Sequence, residues 1–160
     1  MTKSPNMSDI IIRAATISDV PELIPLLAQL DYSTTKEKFE KRFELFMSMN
    51  GYGIVIACKN DKVIGCVAWS KSELLVLDTS RFLIEALVVD EEYRGKNVGR
   101  QLMRYVEKVA QNASPVIISL LSGKRRAKDG THEFYKKLGY ANDGHTAQIY
   151  LRKGFDIDLL

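Results

Sequence analysis

Cysteine is scarce in this chain: Cys58 and Cys66 are the two it has in 160 residues. Both sit in apolar, strand-like runs with neither metal-ligand nor redox spacing, which reads as reduced packing residues and not as a disulfide framework. Long apolar runs are missing too. Stretches such as Ile54 to Cys58 and Pro115 to Leu121 fall far short of the ~20 residues of a membrane helix. The N-terminus, with Lys3, Pro5, Asn6 and Asp9, has no apolar signal-peptide centre, so a cytoplasmic protein is expected. Nor does charge of one sign dominate. The 23 basic and 20 acidic residues give a net charge of +3, too balanced to call for a nucleic acid or a membrane, yet compatible with a small polyanion. No repeat or Pro/Gly/Ser-rich linker marks a boundary. A hydrophobic content of 46% with 27% charged residues suits one globular domain, expected over residues 9–160 behind a frayed tail at 1–8.

What is present is a clear succession of periodicities. Ile10, Ile11 and Ile12 suggest a first strand, and Thr16 to Asp19 supply caps for a helix with Val20, Leu23, Leu26, Leu27 and Leu30 on one face. Pro21 fits its first turn, and Pro25 is expected to kink it. Phe39, Arg42, Phe43, Phe46 and Met47 suggest a second helix ending near Asn50 and Gly51. Strands over Gly53 to Lys59 and Lys62 to Ser70 flank Asn60-Asp61, a hairpin signal. Lys71 to Arg81 either extends that hairpin or lines a substrate loop. Phe82 to Val89 reads as a strand buried on both faces, Val98 to Gln111 as an amphipathic helix, and Pro115 to Leu121 as another strand. Thr131 to Leu138 is a short helix closed by Gly139, and Tyr140 to Arg152 a final pair of strands. The strand–helix–strand unit over 82–121 implies a parallel pair with a right-handed crossover. The expected fold is α/β (α+β): a mixed, mostly antiparallel twisted sheet of six to seven strands flanked by about four helices.

Between the strand and the amphipathic helix lies Asp90-Glu91-Glu92-Tyr93-Arg94-Gly95-Lys96-Asn97-Val98-Gly99. A helix N-terminus has unpaired N–H groups and a partial positive charge, which suits an anion. Gly95 and Gly99 let the backbone approach that anion, and Arg94, Lys96 and Arg100 add cationic charge. A Gly-containing loop alone is also an ordinary turn. Its place after a buried strand and before an amphipathic helix is what a diphosphate cradle requires.

The run Ile84 to Gly99 resembles the pyrophosphate motif of the GNAT superfamily of acetyl-CoA-dependent N-acetyltransferases: Arg or Gln, two residues, Gly, one residue, then Gly or Ala. Asn97 stands where the first motif glycine is usual, and Asn tolerates the left-handed conformation better than other non-glycine residues. Ile12 to Thr16 with Asp19 is similar to the family's first strand and helix entry, and Thr131 to Tyr140 to its late helix. The pairing of Arg94 to Gly99 with His132, Phe134 and Tyr135 also resembles aminoalkylphosphonate acetyltransferases.

The resemblance implies acetyl-CoA as cosubstrate and an acetyl transfer that needs a neutral amine, a stabilised oxyanion and a proton for the thiolate. It places a carboxylate at Glu85 as base, with enclosure among Ile84, Leu87 and Val88 expected to favour its neutral form; a surface-facing Glu is the other reading, because strand parity is not fixed by sequence. It implies pairing of Leu87, Val88 and Val89 with the pantetheine arm, an oxyanion donor among their N–H groups, and diphosphate binding from Arg94, Gly95, Lys96, Asn97, Val98, Gly99 and Arg100. Tyr135 matches the family's general acid, and a packed tyrosine is the alternative. Lys128, in the basic run with Lys124, Arg125 and Arg126, is a candidate for the 3′-phosphate or a solvated residue. His132 and His145 suggest no metal site.

The acceptor is expected between the first two helices and the loop after the third strand, near Asp31, Tyr32, Glu73 and Asp78, whose charge would suit a cationic amine. The expected activity is N-acetylation of a small primary amine. A protein or peptide acetyltransferase and an inactive CoA-binding regulatory module stand as alternatives, and a homodimer is left open.

Overall fold

The computed structural model describes residues 9–122, 129–144 and 147–157, and the chain divides between Leu121 and Ser122 into two compact units. The expected tail at 1–8, the basic run from Lys124 to Lys128, and His145 lie outside the described residues.

The first unit is a sheet in the order β1 (Ile10–Ala14), β2 (Gly53–Lys59), β3 (Lys62–Glu73), β4 (Ser80–Val89), β5 (Val116–Leu120). Neighbours are antiparallel except β4 and β5, whose parallel pairing is made by the crossover through α3 (Val98–Gln111). Helices α1 (Val20–Ala28) and α2 (Lys36–Ser48) precede β2. Asn60 and Asp61 both take positive φ, 49° and 62°, which a tight hairpin between twisted strands requires. Of the ambiguous stretch, Lys71 to Glu73 extend β3, Ser80 opens β4, and Leu74 to Thr79 form the connection, closed by the Leu74 N–H on the Thr79 carbonyl at 3.1 Å.

Strand alternation divides the core in two. Ile54, Ile56, Cys66 and Val88 pack with Leu23, Leu26 and Phe43 of α1 and α2. Val55 and Val67 alternate with these, and Val98, Leu102, Met103 and Val106 give α3 a fully buried stripe. Gly65 permits the close approach of α3: a Cβ there would stand 3.0 Å from the Val88 carbonyl and 3.2 Å from Leu102. Cys58 and Cys66 are buried free thiols, and desolvation pushes Cys66 up to about 12.

The second unit holds α4 (Thr131–Lys137), which ends in a turn at Gly139, φ 94°. The sheet has five strands among the described residues, not six to seven, because the expected pair over Tyr140 to Arg152 does not form. There, Asn142 uses its own side chain in place of a ladder partner. Its Oδ1 accepts from the Gln148 N–H at 2.8 Å and its Nδ2 donates to the Gln148 carbonyl at 3.2 Å.

Candidate active site

The two halves of β4 are paired differently. Ser80 to Ile84 face β3 on one side and β5 on the other, the last parallel pair being Ile84 with Leu120. From Ala86 to Val89 the strand stays paired to β3 but has run past the end of β5. Among the described residues, alternate N–H and C=O groups along that half therefore have no ladder partner in the sheet, an edge that another extended chain can pair with.

At the junction the register slips. Ala68 faces Ala86 and Trp69 faces Ile84, so Glu85 is the extra residue of a β-bulge. The slip reverses the alternation: Ile84 shares a face with Trp69, while Glu85 and Ala86 both look into a cleft of about 380 Å³ between the sheet and the α1/α2 pair. Ser70 donates to the Glu85 carboxylate at 2.6 Å. The enclosure expected for Glu85 is absent, since its side chain is solvent-exposed at the cleft wall.

The turn that follows is built for open N–H groups. Asp90 caps a short 3-10 turn by accepting from the Glu92 N–H at 3.0 Å. Asn97 then adopts φ 70°, ψ 9°, and its side chain makes no cap hydrogen bond to α3. The left-handed conformation at the usual glycine position is thus met by a residue whose short polar side chain tolerates it. Gly95, φ 73°, has open space where a side chain would start. Arg94, Lys96 and Arg100 are exposed around this turn. Arg94 Nε donates to the Val89 carbonyl at 3.1 Å, which ties the turn to the end of β4. Gln29, just past α1, accepts from the Glu91 N–H at 3.0 Å. Nothing in the local sequence marks Gln29, because its partner lies 62 residues away.

The expected acceptor contacts separate. Tyr32 lines the cleft with Glu85; Asp31, Glu73 and Asp78 are not among its lining residues. Glu73 instead closes the β3–β4 hairpin, accepting from the Ser80 hydroxyl at 2.7 Å, which with Lys71 at 3.4 Å holds its carboxyl below the usual range. Asp31 and Asp78 lie in exposed turns. Arg42, whose guanidinium stands 5.5 Å above the Phe39 ring, joins the lining. Its signal was a cation set in the Phe39, Phe43, Phe46 stripe, which reads as amphipathic spacing. In the second unit, Tyr135 packs edge-on to Phe134 and Tyr140, with ring centroids 5.2 Å and 6.0 Å away.

Beside α1, the Arg13 guanidinium grips buried Asp19 through two bonds of 2.9 Å, and the Thr16 N–H adds a third at 2.8 Å. The Arg13 bonds first, then the Thr16 bond, hold the Asp19 carboxyl below its ordinary value against the opposing effect of burial. This pair fixes the entry to the helix that walls the cleft.

Comparison with known proteins bears on this geometry. Residues 21–140 match the Acetyltransferase (GNAT) family. Glucosamine 6-phosphate N-acetyltransferase 1 of Dictyostelium discoideum is 27% identical over 121 residues, 73% of this chain and 74% of that protein. The crystal structure of glucosamine-6-phosphate N-acetyltransferase from Arabidopsis thaliana superposes with a TM-score of 0.75 at 25% identity, covering 92% of this chain and 99% of the other. A GNAT family acetyltransferase from Staphylococcus aureus shares the fold at a TM-score of 0.68 and 22% identity, over 94% and 99% of the two chains. The α+β sheet with its half-paired fourth strand, the turn into α3, and a family match over most of the length agree: this chain belongs to the GNAT family of acetyltransferases.

Proposed function

We propose that this protein moves the acetyl group of acetyl-CoA to the primary amine of a small molecule, by direct attack in a ternary complex. The observation that carries this reading is the bulge at Glu85, which turns a carboxylate into a small-molecule-sized cleft at the point where β4 loses its β5 partner.

The residues fit the cosubstrate. The open half of β4, Leu87 to Val89, offers main-chain groups for the amide-bearing pantetheine arm, and one N–H there serves the thioester oxygen. The left-handed Asn97, the unencumbered Gly95 and the exposed Arg94, Lys96 and Arg100, with Val98 and Gly99 opening α3, suit a diphosphate. Lys128 is assigned to the 3′-phosphate. Bound there, acetyl-CoA supplies the thioester carbon that the amine attacks. Glu85, held by Ser70, takes the proton of the ammonium directly or through water, and Tyr135 returns a proton to the departing thiolate. A single oxyanion donor of this kind contributes about 3 kcal/mol to the barrier reduction.

The left-handed conformation of Asn97 supports this reading over an inactive cofactor-binding module, since the residue takes the shape the motif glycine would. The named activity of the Dictyostelium relative makes an amino-sugar phosphate one acceptor to test. The test is thiol release from acetyl-CoA across a panel of amines. Turnover is expected with at least one primary amine and is expected to fall in Tyr135→Phe with little change in acetyl-CoA affinity. Acetyl-CoA binding without turnover on any amine would refute the enzymatic reading.

A further inference from the structure

The cleft that Glu85 borders has an unusual balance of side chains for the acceptor of a charged or sugar-like amine. Its floor is Ile54 of β2, Cys66 and Ala68 of β3, and Ala86 beside Glu85 on β4. Its roof is built by Leu23 and Leu27 of α1 and by Phe39, Phe43 and Phe46 of α2. Among the described residues, the polar side chains on this surface are Tyr32, Arg42 and Glu85. Glu85 lies on the β4 side of the floor, so the carboxylate stands at one flank and the carbon surface spreads from it toward β2.

A sugar phosphate placed here would set hydroxyl groups against leucine and phenylalanine side chains, and each hydroxyl without a partner costs free energy. A polyamine would bring a second cation to a cleft whose carboxylate, among the described residues, is Glu85 and whose other charge is Arg42. A hydrophobic amine reverses both terms. Its ammonium meets Glu85, and its body removes aromatic and aliphatic surface from water.

We infer that the acceptor is a primary amine carried on an apolar body, aromatic or branched aliphatic, seated against the partly open Phe39 and Phe46 of α2 and Ala68 and Ala86 of the sheet, with its nitrogen at Glu85. This rests on the acetyl-transfer reading above and narrows its substrate class. It also separates this chain from the amino-sugar acceptor named for its Dictyostelium relative.

The full chain is tested by thiol release with linear amines from ethylamine to hexylamine, 2-phenylethylamine, spermidine and glucosamine 6-phosphate. With the inference correct, kcat/KM climbs roughly fourfold for each added methylene until the cleft is filled. 2-Phenylethylamine then exceeds glucosamine 6-phosphate and spermidine by at least tenfold. Phe39→Ala, checked for folding by circular dichroism, flattens the methylene series while its cooperative unfolding persists. A flat series in the wild-type chain, or preference for glucosamine 6-phosphate or spermidine, overturns the inference and leaves acetyl transfer standing. No thiol release with any amine overturns the acetyl-transfer reading itself.

Discussion

The sheet presents two faces to its helices, and they are finished differently. Against α3 it is sealed: Leu102, Met103 and Val106 are 0% exposed, and Gly65 is small so that the helix can settle onto the strands. Against α1 and α2 the same strands leave a cleft beside a packed core, although most of the residues around it are apolar. One residue in β4 gives the cleft its carboxylate. With ideal alternation Glu85 would lie on the opposite face from Ala86; the bulge puts the two on the same side. The α3 face is closed, whereas the α1/α2 face combines a packed core with the cleft, and variants under α3 and at the cleft should fail in different ways.

The largest effect is expected at the open face. Glu85→Gln should lower turnover by about 10²–10⁴-fold, the usual contribution of a positioned base, with the greatest deficit at low pH, where the acceptor is most protonated. Because the side chain is exposed, unfolding by urea should change little. An unaltered pH–rate profile would remove Glu85 from the proton transfer. On the sealed face the converse holds. Leu102→Ala should cost about 2–5 kcal/mol in urea unfolding, and whatever protein remains folded should turn over normally.

How much of this contrast the sequence displays depends on whether the signal is local. The helix Val98 to Gln111 was legible to the residue, because its apolar stripe and the preceding turn lie within one short window. Asn97 was legible for the same reason: its left-handed preference is a property of the side chain. The bulge at Glu85 was not, since a slip in register exists only relative to β3, and an even alternation fits Phe82 to Val89 equally well. Glu73 misled because a carboxylate near the end of a strand looks like a ligand for an amine until Ser80, seven residues on, is seen to occupy it. Tyr140 to Arg152 was expected as a final pair of strands, but the sequence does not reveal that Asn142 will bond Gln148 locally.

A smaller effect sharpens the comparison at the edge of the open face, where Asp19 anchors α1. Its folded pKa is lowered, chiefly by Arg13, so its stabilising contribution is complete above the unfolded value of about 3.9 and is lost as pH falls through the lower folded value. The melting temperature should therefore drop in the acid range below about pH 4, and Asp19→Asn should flatten that part of the curve. At neutral pH the substitution should cost about 1–3 kcal/mol, discounted because Arg13 is partly in solvent. A curve for Asp19→Asn that parallels the wild type would mean another carboxylate governs acid unfolding.

The smallest effect concerns Asn97, in the turn that leads from the paired strand into the helix sealing one face. An alanine must hold φ near 70°, which costs about 1–2 kcal/mol, whereas glycine holds it without steric penalty. Asn97→Ala should accordingly lower stability and weaken acetyl-CoA binding, because part of the binding energy goes to restoring the turn. Asn97→Gly should bind as the wild type does. Calorimetric titration of the two variants checks this directly. Equal affinities would show that position 97 contributes its N–H irrespective of backbone handedness, and that the turn is held from outside, by Gln29 on Glu91 and by Arg94 on the Val89 carbonyl.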